Sequence, residues 1–165
     1  MDVHKPIIGI TLGDFNGIGP EILLKTFTDH GISKICTPII YGSTKIFNRY
    51  RKLLNTEEFQ FFHIKEANQL AHRKVNIIHC WDEDFEIEPG KVTEQAGKCA
   101  FLSLKAASTD LKKGFLHALV TSPINKQNIK SPEFNFIGHT EYLQQHFEAK
   151  DVLMFMAVSY THLTL

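Results

Sequence analysis

Residues 6–31 read PIIGITLGDFNGIGPEILLKTFTDHG. The run PIIGITL (6–12) is apolar and rich in β-branched residues, the pattern of a strand covered on both faces. PEILLKTFTDHG (20–31) has the pattern of a helix. Pro20 suits the first helical position, Glu21 suits the positive end of the helix dipole, and Gly31 suits the stop. Between them lies a polar turn with Gly13, Asp14, Gly17 and Gly19. A buried strand that passes through one short turn into a helix is the start of a strand–helix alternation, and the rest of the chain continues it.

Outward from that stretch, ICTPIIYG (35–42) reads as a strand and STKIFNRYRKLLN (43–55) as a helix capped by Ser43. FQFFHIK (59–65) and VNIIHCW (75–81) read as strands, and DEDFEIEPG (82–90) as an acidic turn or loop. Residues 92–114 form the clearest helix, with Thr93 as cap and Ala96, Leu104, Ala107 and Leu111 at helical spacing. HALVT (117–121) is a short strand, TEYLQQHFE (140–148) a helix and VLMFMAVS (152–159) a final apolar strand. This alternation predicts an α/β fold, a mostly parallel sheet covered by helices in three α/β/α layers. Ligands in such sheets bind at the carboxyl ends of the strands. The polar clusters GDFNGIG and TSPINK fall there.

Composition narrows the function classes. Lys plus Arg equals Asp plus Glu at 18 each, so the basic excess of a nucleic-acid or membrane-surface binder is absent. No apolar run is long enough to span a bilayer, and the N-terminus lacks a signal pattern. Cys36, Cys80 and Cys99 form no C-x-x-C pair and read as reduced thiols, buried as small hydrophobes, of a cytoplasmic protein. No histidine pair has a standard zinc spacing, and there is no G-x-S-x-G. His63 and His79 sit inside strands, as core or surface residues.

Three clusters carry chemistry. Gly13, Gly17 and Gly19 are spaced G-x-x-x-G-x-G, which is neither the dinucleotide fingerprint nor a P-loop. The turn is either a tight strand–helix connection or a ligand-facing loop; a helix N-terminus attracts anions, and Asp14 opposes a bare phosphate. In TSPINKQNI (121–129), Lys126 can hold a phosphate or carboxylate as a point charge, with Asn125 beside it, or it is a solvated loop lysine. In FIGHTEYL (136–143), His139 stands before a helix, whose dipole disfavours its cation and keeps it neutral to hydrogen-bond a substrate. The alternative makes Thr140 an N-cap and His139 an exposed loop residue.

Taken together and in order, ITLGDFNGIGPEI (10–22), ALVTSPINKQNI (118–129) and FIGHTEYL (136–143) resemble the 4-hydroxythreonine-4-phosphate dehydrogenase family. Its members carry T-x-G-D-P-x-G-I-G-P-E-I, T-x-P-I-x-K and G-H-T-E segments at similar separations. Phe15 stands where the family commonly has proline. The match runs from about residue 7 to about residue 157. The resemblance implies a fold like that of isocitrate and isopropylmalate dehydrogenases. It also implies NAD-dependent oxidation of 4-phosphooxy-threonine followed by decarboxylation, a step of pyridoxal 5′-phosphate synthesis. A paralogue acting on another phosphorylated four-carbon hydroxy acid, or a non-catalytic binding module, is the alternative.

By position, the resemblance places His139 and Thr140 against substrate, and Lys126, Asn125 and the loop of Gly13, Asp14, Gly17, Gly19 and Glu21 along the cleft. It further implies a divalent metal (zinc, magnesium or cobalt) and a homodimer with a shared site. His162, in the segment Thr161-His162-Leu163, looks like one metal ligand but follows His139 too closely for the family spacing. Residues 159–165 therefore read either as a local deletion or as a tail foreign to the fold. The family chain is roughly double in length, so residues 1–158 correspond to its N-terminal part. The remaining metal histidines lie in the other half, and the 165-residue chain is expected to be inactive alone.

Overall fold

The computed structural model describes residues 5–28, 31–56 and 60–155. Five parallel strands form one sheet: β1 (Ile7–Thr11), β2 (Thr37–Gly42), β3 (Phe62–Ile64), β4 (Asn76–His79) and β5 (Ala118–Val120). Their spatial order is β3-β4-β2-β1-β5. All of β2 is buried, as are the last three residues of β1, which explains why both read as apolar without alternation.

The helices are α1 (Gly19–Thr28), α2 (Ile32–Ile35), α3 (Thr44–Leu53), α4 (Glu94–Lys112) and α5 (His139–His146). Strand residues alternate between two cores. Ile10, Leu12, Ile40 and Ile77 pack with Leu23, Leu24 and Phe27 of α1 and Ile46, Phe47 and Tyr50 of α3. On the opposite face Ile39, Tyr41 and Ile78 pack with Ala107 of α4 and Leu116. Helices on both faces of a parallel sheet give the predicted three layers. A third cluster joins Ala100, Phe101 and Leu104 of α4 to Ile129, Phe134 and Tyr142, and so seats α5 and the chain leading to it.

The chain winds from β1 through β2 towards β4 and β3, then returns to place β5 on the other side of β1. The direction of winding therefore reverses between β1 and β5, and the loops leaving these two strands emerge side by side at the carboxyl ends, the position where such sheets bind ligands. Those loops are residues 12–18 and 121–129.

Several sequence expectations are corrected. The strand expected at 35–42 begins at Thr37, because Ile32–Ile35 form the one-turn helix α2. Ser43 occupies the N-cap position of α3, yet its side chain makes no capping bond. Thr93, in contrast, accepts the Ala96 amide at 3.3 Å. The run expected as a strand over 152–159 is not a strand in its described part, where Leu153, Met154 and Phe155 are more than 80% exposed. A strand needs a paired edge and a covered face, and residues 152–155 find neither among the described residues. Residues 156–165, and with them His162, lie outside the described residues.

Candidate functional site

The site is built where β1 ends. At the end of the β1–β2 ladder, Leu12 N–H donates to Tyr41 O (3.1 Å) and to the hydroxyl of Ser103 on α4 (2.9 Å), and that hydroxyl donates to Tyr41 O (2.6 Å). Gly13 then turns the chain at φ +70°, and a Cβ there would sit 2.4 Å from Pro123 O. Only glycine meets both demands. Asp14 N–H donates to the same Pro123 carbonyl (3.0 Å), and Ser122 N–H donates to Thr11 Oγ1 (3.1 Å). The glycine turn and the lysine turn are thus sewn together along their backbones.

Asp14 is buried. Its Oδ1 accepts the Asn16 amide (2.8 Å), and its Oδ2 accepts Asn128 Nδ2 (2.9 Å). Gly17 N–H closes the turn on Asp14 O at 3.0 Å, and Gly19 opens α1 against Ser122. The Tyr50 hydroxyl donates to Phe15 O (2.8 Å); burial, then the charges of Asp14 and Glu21, push its pKa up to about 12 and keep this donor protonated. Phe15, the residue that departs from the family pattern, is buried and stacks on Phe85 at 6.1 Å. Asn16 binds the 82–93 loop: its Oδ1 accepts Glu88 N–H (2.8 Å) and its Nδ2 donates to Thr93 Oγ1 (3.1 Å).

The lysine turn is closed by Asn125, whose Oδ1 accepts the amides of Gln127 (2.9 Å) and Asn128 (3.4 Å). This projects Lys126 toward Gly138, where a Cβ would lie 3.9 Å from Lys126 Cε. His139 follows as the first residue of α5, with Gly138 rather than Thr140 in the cap position. His139 is neither exposed nor paired at Nε2, which is buried without a hydrogen-bond partner among the described residues. Its pKa lies below the ordinary histidine value. Burial is the main cause and the Lys126 charge the second, so the expected direction holds for a different reason than the helix dipole.

Gly13, Asp14, Gly17, Gly19, Asn125, Lys126 and His139 therefore belong to one continuous patch, and Thr140 is half-buried in the first turn of α5. Glu21 is directed elsewhere, pairing with Lys25 one turn on at 2.5 Å. Asn125 spends its side-chain oxygen on the turn itself. Asn16 and Asn128, the two amides that tie the loops together, are not among the site residues that the sequence motifs single out. Their signal was the company they keep, an asparagine two residues after Asp14 and another three after Asn125.

Metal donors do not converge here. Among the described residues no three His, Cys, Asp or Glu side chains are grouped to hold an ion. Burial pushes the thiols of Cys80 and Cys99 up to about 12, so both remain protonated. Cys99 is buried as expected, whereas Cys36 and Cys80 are half-buried. His63 and His79 are exposed surface neighbours on β3 and β4 with nitrogens 3.2 Å apart, outside the site. The described residues on their own do not fit a divalent metal.

Residues 34–165 match the family model described as pyridoxal phosphate biosynthetic protein PdxA. A curated relative from Bacteroides thetaiotaomicron, named 4-hydroxythreonine-4-phosphate dehydrogenase, is 40% identical over 88% of this chain and 40% of its own length. A Clostridium botulinum (strain Hall) protein, provisionally named D-threonate 4-phosphate dehydrogenase, is 35% identical over 94% of this chain and 47% of its own. The crystal structure of a 4-hydroxythreonine-4-phosphate dehydrogenase from Burkholderia phymatum superposes with a TM-score of 0.78 at 25% identity, over 89% of this chain and 45% of that one. The chain spans less than half the length of these relatives.

Proposed function

Because this chain belongs to the pyridoxal phosphate biosynthetic protein PdxA family, we propose that it forms the substrate-gripping part of a dehydrogenase. The substrate is 4-phosphooxy-L-threonine. Its 3-hydroxyl is oxidised, and loss of carbon dioxide gives 3-amino-2-oxopropyl phosphate for pyridoxal 5′-phosphate synthesis. The observation that supports this is the Lys126–His139 pair beside the loops that leave β1 and β5, with His139 Nε2 buried and unpartnered among the described residues. A buried polar atom without a partner is unfavourable by about 1–3 kcal/mol, which a hydrogen-bonding ligand relieves.

In this reading the Lys126 ammonium holds an anionic group of the substrate, and the neutral His139 imidazole hydrogen-bonds its hydroxyl. The Thr140 hydroxyl adds a further polar contact from the first turn of α5. NAD, when bound, supplies the hydride acceptor. No step here is routed through a metal, since the described residues offer no complete donor set. The free thiols support a reducing, cytoplasmic setting. The implied homodimer remains part of the same proposal.

D-Threonate 4-phosphate is the second reading, favoured by the 35% identity over nearly the whole chain to the relative named for it. The two substrates differ at C2, an amine in one and a hydroxyl in the other. Turnover of each by the enzyme extended through its native reading frame, followed by NADH absorbance, separates them. Lys126→Ala is expected to lower kcat/KM about 10–100-fold, the worth of a charge-assisted hydrogen bond. His139→Ala is expected to lower kcat. Turnover of neither substrate, or full activity in Lys126→Ala, overturns the proposal.

A further inference from the structure

Lys126 sits on a turn, and a turn holds an ammonium in place only if something fixes the turn. Asn125 closes it from within by local bonds to Gln127 and Asn128, and the start of the turn is pinned through Ser122 and the Pro123 carbonyl. The side-chain link that pins the far end, past Lys126, comes from Asn128. Its Nδ2 donates to Asp14 Oδ2 (2.9 Å) and to Thr93 O at the foot of α4 (2.9 Å). Its backbone carbonyl lies so close to α4 that a Cβ on Gly97 would come within 1.9 Å of it. The next residue, Ile129, is buried in the aromatic cluster that seats α5. One side chain thus joins the glycine turn, the lysine turn and α4. Asp14, anchored by the Asn16 amide, is the fixed end of that joint.

We propose that Asn128 is a positioning residue: by clamping its turn to Asp14 and to the Thr93 carbonyl, it holds the Lys126 ammonium beside His139. The inference deepens the functional reading above, in which Lys126 and His139 grip the substrate. Its geometric content can nevertheless be tested without any turnover.

The charged groups near the His139 end of the turn are Lys126 and, from α5, Glu141, both of which approach Gly138. Lys126 lowers the His139 pKa, so that pKa reports where the ammonium is. The experiment is an NMR titration of the His139 imidazole in the 165-residue chain and its variants. Lys126→Met removes the charge and should raise the His139 pKa. Asn128→Ala leaves the charge in the chain but frees its turn, and should raise the pKa to a similar extent. The double variant should go no further than Lys126→Met alone. If Asn128→Ala titrates like the parent while Lys126→Met moves, the proposal is overturned. It is overturned equally if Lys126→Met has no effect, because the ammonium is then not beside the ring.

Should Asn128→Ala fail to fold, Asp14→Asn is the second variant. It keeps the size of both side chains but can no longer accept both N–H donors, so the pKa should again rise, and an unchanged value overturns the proposal. Activity of the extended enzyme is the separate reading. Displacing a substrate-holding group should lower kcat/KM on the order of 100-fold. A shifted His139 pKa without that loss overturns the substrate role of the pair and leaves the clamp standing.

Discussion

Gly13 carries two constraints at once, a φ of +70° and the Pro123 carbonyl where a side chain would begin. Gly13→Ala should therefore lower stability by about 1–3 kcal/mol, the range for a strained residue at a functional turn. Urea unfolding monitored by circular dichroism checks it. His139 gives a second prediction. Its folded pKa is held below the ordinary value by burial and then by Lys126, and that of His79 by burial and then by His63, with Asp82 opposing. Between the folded and unfolded values the unfolded chain binds more protons, so stability rises with pH across that window. The stabilisation is complete above the unfolded value of about 6.5 and declines as the pH falls below it. Melting temperatures from pH 8 to 5 should show this decline, and His139→Gln should flatten part of it.

At the scale of elements, Thr93 and Ser43 hold the same position at the starts of α4 and α3 but do different things. Thr93 caps its helix and also receives the Asn16 amide, whereas Ser43 makes no capping bond. Thr93→Ala should cost about 1–2 kcal/mol of stability, and Ser43→Ala less. Denaturant midpoints of the two variants, with the slope unchanged, decide it. The pair also shows what a sequence reveals about an element. Both caps were legible as residue types at helix starts, and β1, α1 and α4 were legible because burial on both faces or one stripe leaves a periodic trace. Whether a hydroxyl turns inward to its own helix depends on neighbours far along the chain. The four-residue helix α2 is too short to leave a periodic trace at all. Asn128 was invisible for the same reason that makes it useful, since its partner Asp14 is 114 positions away.

On the scale of the whole molecule, β3 and β5 are the two edge strands of the sheet, and β5 is the edge beside the site. β5 is only three residues long, its first and last residues are exposed, and Val120 is about half exposed. An unpaired strand edge presents a row of free N–H and C=O groups that invites pairing with another chain. The chain also carries Leu153, Met154 and Phe155 largely exposed, an apolar run that reads as a strand in sequence and is unpaired among the described residues. Apolar segments of this kind, with strand propensity and no charge among the three, associate unless covered. The 165-residue chain should therefore elute in size exclusion as concentration-dependent species larger than a monomer. Replacing Leu153, Met154 and Phe155 by lysine should shift it to a monomer without changing its circular dichroism spectrum, because none of the three supports the core. If the triple variant still associates and Val120→Lys does not, the open edge of β5 drives association rather than the apolar run. A monomer at all concentrations in the parent chain would show that neither surface is sticky enough to matter.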